Sequence, residues 1–464
     1  MTIWQPDISA LPGSRYVAIA EALAQDIEAG RLRAGDRLPT HRDLAYRLGV
    51  TVGTVTRAYN EAARRGLVGG EVGRGTYVRD HQRTVVPSLL AEPALPGDGG
   101  GVIDFSVNMS VPAEGERLLA TTLAQLAGEP GLGALLGYQP HRGAARHRAA
   151  GAAWLSRRGL SVEAERVIVT AGGQHAMLTV FAGLTKPGDL VLTEALTYPG
   201  MKSLAGMLQL RLQGIAMDAD GLLPEALEAA CRAGNPRALY CMPHLQNPTG
   251  SQMPVARREA IAAIASAHGV AIVEDDVYGF LGEALPALSS LAPDIGYYLT
   301  STSKSLAPGL RIGYLTTPPG RQGAFVGAVR TSTWMAAPLM AEIATRWIED
   351  GTADRLAADA RAEASARQAT ARAALAGWRW LAHPTGFHGW LELPEPWRAE
   401  DLTAAARACG VLVAPASAFA VGRPAAEAIR ICLCATPSRA QLQRGLATVA
   451  ELLASGPDAA PSIV

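Results

Sequence analysis

Short apolar runs rich in β-branched residues alternate with alanine-rich helical stretches through the middle of this 464-residue chain. The clearest of these runs are Val167–Val169, Leu190–Leu192, Ala238–Tyr240 and Val270–Val273. Strands that are apolar along their whole length are buried on both faces, and the helices between them allow neighbouring strands to pair in parallel. The alternation therefore predicts an α/β layer fold with a largely parallel sheet.

The N-terminal segment follows a different pattern. Apolar residues at helical spacing predict helices over 15–29, 40–48 and 51–65, with Thr40 as the N-cap of the second helix and Gly49 at its end. Two short apolar runs after Gly66 predict a β-hairpin. Three helices with a tight joint between the last two, followed by a hairpin, are the element order of a winged helix-turn-helix.

Positive charge is concentrated in this segment. Residues 1–83 hold twelve Arg and no Lys against nine Asp and Glu, which gives +3 on a chain with no net charge overall. In a winged helix-turn-helix the third helix faces the major groove, and arginines contact phosphates. A helical lid with solvated arginines is the alternative that the residues alone leave open. The DNA-binding interpretation predicts contacts from Arg42, Thr51, Thr54, Thr56, Arg57 and Arg74.

Residues 16–78 resemble the GntR-type winged-helix domain of bacterial transcription regulators. The resemblance runs through the whole segment and is carried by GRLRAGDRLPTHRDLAYRLGVTVGTVTRAYNEAARRGLV and by GRGTYV. Proline and glycine then become frequent up to Gly101, which predicts a linker. The predicted organisation is therefore a DNA-binding domain over 1–80, a linker over 81–103 and the α/β domain over 104–464.

Lysine is rare in this chain, and one lysine lies where its amine suits chemistry. Of the 42 basic residues only Lys186, Lys202 and Lys304 are lysines. Lys304 lies among hydroxyl residues just after a predicted strand, and an amine forms Schiff bases whereas a guanidinium does not. Taken alone, an exposed loop lysine is the plainer interpretation.

Further polar residues follow other predicted strands. Asp275 comes after the run Val270–Val273, at the carboxyl end of a strand, where open α/β sheets bind ligands. A carboxylate in this position can keep a pyridinium nitrogen protonated, and Tyr278 and Asn247 could donate to a ring oxygen. Each residue also has a plain structural interpretation: a helix cap for Asp275, core packing for Tyr278 and a turn for Asn247.

Another group of residues suits anionic groups. Glycines before a predicted helix over 176–184 leave backbone N–H groups and the helix dipole facing an anion. Arg311 can supply a bidentate charge, and Tyr198 an aromatic face for stacking. Arg430 lies on a predicted apolar strand, and a buried arginine requires a carboxylate partner.

Taken together, residues 104–453 resemble a fold-type I pyridoxal-phosphate aminotransferase of class I and II, with a mixed, largely parallel sheet and a smaller C-terminal α+β part. The resemblance implies that Lys304 forms the internal aldimine with pyridoxal 5'-phosphate, that Asp275 pairs with the pyridine nitrogen and that Arg430 binds the carboxylate of an amino acid. The resemblance also implies that Asn247 and Tyr278 donate to the ring oxygen and that Tyr198 stacks on the ring. It makes Gly173, Gln174, Ser301 and Arg311 phosphate ligands, and Tyr138 the tyrosine that reaches the neighbouring subunit's site.

Two positions depart from the pattern of the relatives. Gly173 stands where many of them carry Ser or Thr, so one hydroxyl contact with the phosphate is missing. Two residues separate Asp275 from Tyr278, as in the enzymes, whereas many regulators of this architecture have one residue between the corresponding pair.

A GntR-type winged helix joined to such a domain is similar to the MocR family of transcription regulators. The resemblance implies a homodimer that binds operator DNA and senses an amino acid or amine as an external aldimine. The alternative is an active aminotransferase for an amino acid and 2-oxo acid pair, because every group that transamination needs is represented. An enzyme has no use for a DNA-binding module, so we expect regulation to be the primary function.

The composition excludes other classes of protein. The five cysteines form no C-x-x-C pair, so no metal site is expected. No apolar stretch approaches the roughly 18 residues of a membrane span. We therefore expect a cytoplasmic protein without a membrane partner.

Overall fold

The computed structural model describes residues 4–8, 14–28, 31–33, 35–64, 67–71, 75–78, 101–109, 114–422 and 426–457. It separates into two units, residues 1–87 and 88–464. Most of the predicted linker lies outside the described residues, so the bounds 1–80, 81–103 and 104–464 stay a prediction. No helix in the described ranges is both long and apolar enough to cross a membrane.

The N-terminal unit contains the three predicted helices and the hairpin. Thr40 caps the second helix by accepting a hydrogen bond from the backbone N–H of Asp43, and Gly49 ends it with a φ of 61°. Leu23, Leu44 and Val55 meet in one apolar core, so the predicted helical stripes are the buried faces. The elements are α1 (Arg15–Glu28), α2 (His41–Leu48), α3 (Val52–Arg64), β1 (Val68–Glu71) and β2 (Gly75–Val78), and the two strands pair antiparallel.

The second unit contains two main sheets with helices around them. Its strands are β3 (Ile103–Asp104), β4 (Val167–Thr170), β5 (Leu190–Glu194), β6 (Arg211–Ile215), β7 (Met217–Asp218), β8 (Gly221–Leu222), β9 (Ala238–Cys241), β10 (Ala271–Asp275), β11 (Gly296–Ser301), β12 (Gly313–Thr316), β13 (Arg379–Leu381), β14 (His388–Glu392), β15 (Val411–Leu412), β16 (Ala414–Pro415) and β17 (Ala428–Cys432). Its helices are α4 (Gly115–Ala127), α5 (Ala145–Ser156), α6 (Gly173–Leu184), α7 (Pro199–Met207), α8 (Pro224–Ala233), α9 (Val255–His268), α10 (Thr302–Ser305), α11 (Gln322–Ser332), α12 (Pro338–Glu349), α13 (Thr352–Ala374), α14 (Ala399–Ala408) and α15 (Arg439–Ser455).

The larger sheet has the strand order β4-β12-β11-β10-β9-β5-β6 within the described part of the chain. Neighbouring strands from β11 to β6 pair in parallel, whereas β12 runs against both of its neighbours. Every residue of β9 and β11 is buried, as expected when both faces of a sheet are covered. The predicted α/β fold with a mixed, largely parallel sheet is confirmed.

The carboxyl ends of the parallel strands form one edge of this sheet, and several predicted site residues meet there. β10 ends at Asp275, and β11 ends at Ser301 just before Lys304. Because β12 runs in the opposite direction, Arg311 at its start lies at the same edge. A smaller antiparallel sheet, β13-β14-β17-β16, carries Arg430 on β17 and belongs to the smaller C-terminal part.

Candidate functional site

A cavity of about 220 Å³ lies at the carboxyl edge of the larger sheet. All the residues predicted to contact the cofactor or the ligand carboxylate line it, except Tyr138. Their individual roles stay a prediction. The lining consists of Val107, Asn108, Gly173, Gln174, Met177, Tyr198, Pro199, Met242, Asn247, Asp275, Val277, Tyr278, Ser301, Ser303, Lys304, Arg311 and Arg430.

Asp275, the last residue of β10, has one carboxylate oxygen without a partner. Its Oδ2 accepts a hydrogen bond from the Tyr240 hydroxyl at 2.7 Å, whereas its Oδ1 is buried and has no hydrogen-bond partner among the described residues. Burial raises the pKa of Asp275 to about 7, against the lowering effect of the Tyr240 hydrogen bond. An unpaired buried oxygen is costly unless a ligand donates to it, so Oδ1 suits a pyridinium N–H.

Lys304 lies in α10, a single turn directly after β11. Ser301 caps this turn by accepting a hydrogen bond from the backbone N–H of Ser303. The Lys304 ammonium donates to the backbone carbonyl of Asn108. Burial lowers the pKa of Lys304 to about 8, which increases the fraction of uncharged amine near neutral pH. An amine that loses its proton easily is suited to attack an aldehyde.

The start of α6 and the guanidinium of Arg311 form an anion site. The helix begins at Gly173, three residues earlier than predicted, because glycine is a poor helix former and gave no signal in the sequence. Gly172 has a φ of 90°, and a Cβ atom there would lie 2.5 Å from a guanidinium nitrogen of Arg311. Arg311 is held by a 2.9 Å hydrogen bond to Ser303 Oγ. A helix N-terminus beside an arginine suits a phosphate.

Arg430 is buried on β17 and has no carboxylate partner in the described chain. One guanidinium nitrogen donates to Asn247 Oδ1 at 2.8 Å, and another donates to the backbone carbonyl of Ser106. The guanidinium also lies over the Phe419 ring, 4.7 Å from its centre. Because Asn247 Oδ1 is occupied, the amide nitrogen is the end that remains to donate. A buried guanidinium without a counter-charge suits an anionic ligand.

Two of the three predicted site tyrosines lie at the cavity. Tyr278 is buried, and its hydroxyl accepts a 2.8 Å hydrogen bond from Asn108 Nδ2. Tyr198 precedes α7 with its ring half-buried. Burial raises the pKa of both hydroxyls, so both remain donors. Tyr138 is instead 84% exposed and packs on Trp334, with ring centres 5.6 Å apart.

Sequence reasoning missed several residues that contact the site. Asn108 bonds Tyr278 from 170 positions away, and no local pattern marks it. Tyr240 on β9 is paired with Val273, which shares a strand face with Asp275, so Tyr240 lies within diagonal reach of the carboxylate. Only the strand order, which the sequence did not provide, could have identified Tyr240.

The predicted DNA-contacting residues at the start of α2 and α3 are partly available to a ligand. Arg42 and Arg57 are exposed. The Thr51 hydroxyl accepts a 3.1 Å hydrogen bond from the backbone N–H of Thr54 and so caps α3. The hydroxyls of these two threonines lie 2.9 Å apart near the helix start.

The structure does not present two other residues of the predicted DNA interface as available contacts. The Thr56 hydroxyl donates to the Val52 carbonyl and lies 3.0 Å from His41 Nδ1, so it already has partners within the unit. Arg74, predicted to contact phosphate, lies outside the described residues. The DNA contacts of individual side chains stay a prediction.

Two family models match the chain. The aminotransferase class I and II model matches residues 102–449, and the model of bacterial regulatory proteins of the gntR family matches residues 15–78. The HTH-type transcriptional regulator YdeF of Bacillus subtilis is 31% identical over 452 residues, which are 97% of this chain and 96% of YdeF. The regulator TauR of Rhodobacter capsulatus is 29% identical, over 88% of this chain and 90% of TauR.

Solved structures share the fold of the second unit. LysN, the alpha-aminoadipate aminotransferase of Thermus thermophilus complexed with N-(5'-phosphopyridoxyl)-L-leucine, matches with a TM-score of 0.70 and 27% identity. The match covers 77% of this chain and 93% of LysN. The chain therefore belongs to the GntR-type transcription regulators that carry an aminotransferase class I and II domain, the MocR architecture that the sequence predicts.

Proposed function

We propose that this DNA-binding transcription regulator binds pyridoxal 5'-phosphate in the cavity and senses an amino acid there. The observation that carries the proposal is the convergence of Lys304, Asp275 and Arg430 on one cavity from three separate elements. Asp275 offers an oxygen and Arg430 a charge for which the described residues supply no partner and no carboxylate, respectively, and Lys304 offers an amine that burial makes easier to deprotonate.

The lining fits each polar end of the cofactor. When bound, pyridoxal phosphate supplies an aldehyde that reacts with primary amines and a ring that withdraws electrons. Asp275 Oδ1 would accept the pyridinium N–H, and the Lys304 amine would be the group that reacts with the aldehyde. Asn247 and Tyr278 would donate to the ring oxygen, and Tyr198 would stack on the ring face. The phosphate would be held by Gly173, Gln174, Ser301 and Arg311.

The ligand that fits this cavity is an amino acid. Its amine competes with Lys304 for the aldehyde, and its carboxylate neutralises Arg430, which has no other carboxylate in the described chain. Met177, Met242 and Val277 give the rest of the lining an apolar character. The ligand alters DNA binding to the extent that it binds the DNA-bound and free states with different affinities.

We further propose that the regulator is a homodimer in which Tyr138 acts at the partner's site. Tyr138 is exposed and does not line the cavity of its own chain, which supports this assignment. Two copies of α3 would then contact successive major grooves, about 34 Å apart or a multiple of that distance. The cytoplasmic location stays a prediction.

Aminotransferase activity is the second candidate function. It is favoured by the retention at the cavity of a lysine base, a carboxylate for the ring nitrogen and an arginine for the substrate carboxylate. These groups serve turnover as well as sensing, so the two functions differ in whether the bound amino acid is converted and whether DNA binding responds.

An electrophoretic mobility shift with DNA from upstream of the protein's own coding region tests the proposal. We expect a specific shift that changes with pyridoxal phosphate and with one or more of the twenty amino acids. Arg430→Gln should abolish the amino-acid response but not the shift, whereas Arg379→Gln, an exposed arginine on nearby β13, should leave both unchanged. A shift that no amino acid alters, together with conversion of amino donors into 2-oxo acids, would favour the enzyme.

A further inference from the structure

A chain of three buried hydrogen bonds runs from a backbone carbonyl to the Tyr278 hydroxyl. His388 Nε2 lies 3.0 Å from the Gln246 carbonyl, and His388 Nδ1 lies 2.9 Å from Asn108 Nδ2. The same Asn108 nitrogen lies 2.8 Å from the Tyr278 hydroxyl. All three side chains are buried.

The backbone carbonyl fixes the direction of every bond in this chain. A carbonyl oxygen only accepts, so His388 Nε2 must carry a hydrogen. Burial lowers the pKa of His388 to about 3, so the ring is neutral and Nδ1 has a lone pair. The Asn108 group facing Nδ1 must then be the amide nitrogen and not the oxygen.

The amide nitrogen of Asn108 has two hydrogens, and both are committed. One is donated to His388 and the other to the Tyr278 hydroxyl, whose oxygen therefore acts as the acceptor. The hydroxyl proton of Tyr278 must point elsewhere, and Tyr278 lines the cavity beside Asn247 and Lys304. The backbone carbonyl of Asn108 also accepts from Lys304, so one residue contacts both groups.

We infer that Asn108 and His388 are positioning residues that hold the Tyr278 hydroxyl as a donor into the cavity, toward the ring oxygen of the cofactor. Neither residue donates to the cofactor in this role. Each acts by fixing the direction of the next hydrogen bond. The inference rests on the proposed cofactor site.

Asn108→Asp tests the inference because a carboxylate only accepts. Tyr278 would then donate its proton to the introduced carboxylate and not to the ring oxygen. Without that donor, the ring oxygen would bind more tightly the proton that it shares with the lysine linkage. We expect the pH midpoint of the visible absorbance of the bound cofactor to rise by about one pH unit in the full-length holoprotein, as it should in Tyr278→Phe.

The double variant Asn108→Asp with Tyr278→Phe separates the effect of reorienting the Tyr278 hydroxyl from the effect of the added carboxylate charge. If both changes remove the same donor, the double variant shifts no further than Tyr278→Phe alone. Asn235→Asp adds a charge at an exposed position and should leave the midpoint unchanged. Besides position 108, the charged and titratable groups near Tyr278 are Arg430, Cys432, Tyr198, Asp275 and His388, and all of them are retained in Asn108→Asp. Additive shifts, or no shift for Asn108→Asp, would overturn the inference.

A second measurement needs no cofactor. In the cofactor-free full-length chain labelled with ¹⁵N-histidine, the His388 signals, assigned by their loss in His388→Gln, should show hydrogen on Nε2 and none on Nδ1. Hydrogen on Nδ1 would overturn the inference. If the wild-type chain takes up no pyridoxal phosphate, the proposed function fails, and the tautomer still decides the orientation of the hydrogen-bond chain.

Discussion

Replacing Asp275 by Asn should stabilise the cofactor-free chain above neutral pH. Burial raises the pKa of Asp275 from 3.8 to about 7, so between these values the folded chain keeps a proton that the unfolded chain has lost. Stability therefore falls as the pH rises through this window, by roughly 4 kcal/mol once the pH exceeds 7. The proposed pairing of Asp275 with the pyridinium nitrogen of the cofactor requires the charge that causes this loss.

An asparagine removes the charge and retains most of the contacts. Its Oδ1 can accept the Tyr240 hydrogen bond, and its amide nitrogen takes the place of the unpaired Oδ1, at a cost of about 1 kcal/mol. The net gain at pH 8 is therefore roughly 3 kcal/mol. At pH 5 the wild-type penalty is only about 1.6 kcal/mol, and the cost of the lost contacts offsets most of it, so the net gain falls below about 1 kcal/mol.

Urea unfolding of the cofactor-free, full-length chain at pH 5 and pH 8 provides the assay. Tryptophan fluorescence reports mainly on the second unit, which holds every tryptophan except Trp4. Other buried groups also titrate, such as Glu194 with a pKa that burial raises to about 8. The Asp275 charge adds to that rise, so its removal also makes Glu194 easier to ionise, which acts in the same stabilising direction. If Asp275→Asn is no more stable than wild type at pH 8, or if the difference does not widen from pH 5, the reasoning is refuted.

Asp276, the carboxylate next to Asp275, is a matched control because its pKa is shifted in the opposite direction. Burial alone would raise the pKa of Asp276, but the neighbouring His244 ring, 3.3 Å away, and the hydrogen bond from Tyr298 lower it to about 2. This carboxylate contributes stability that is present above pH 4 and is lost as the pH falls toward 2. Asp276→Asn should therefore destabilise the chain at pH 8.

The remaining predictions concern the cofactor and DNA. Lys304→Ala should abolish the visible absorbance of the bound cofactor and leave DNA binding intact, and an absorbing variant would contradict the assignment of this lysine. Gly172→Ala should lower cofactor affinity at least tenfold because its Cβ would meet Arg311, whereas Gly188→Ala, with a φ of 87° and open space around it, should lose about 1 kcal/mol of stability only. Arg57→Ala should weaken DNA binding and lower its salt dependence in mobility shifts without changing cofactor uptake.

Local patterns in the sequence were sufficient for the elements of the fold. The helical stripe of α3 and the apolar run of β10 each contain enough residues to define their period, and burial follows the period directly. The start of α6 was predicted too late, because Gly172 and Gly173 give no helical signal. Both residues lie at the helix N-terminus that forms the proposed phosphate site.

The sequence by itself determined which chemistry is available. Only three residues of the chain are lysines, and Lys304 is the one that lies among hydroxyl residues just after a predicted strand. Only the tertiary structure decided which atoms remain unpaired. Tyr240 donates to one oxygen of Asp275, and no described residue donates to the other; the Tyr278 proton is directed by Asn108 and His388. Such partners come from other strands and loops, and a local period carries no information about which distant atoms a hydrogen bond will use.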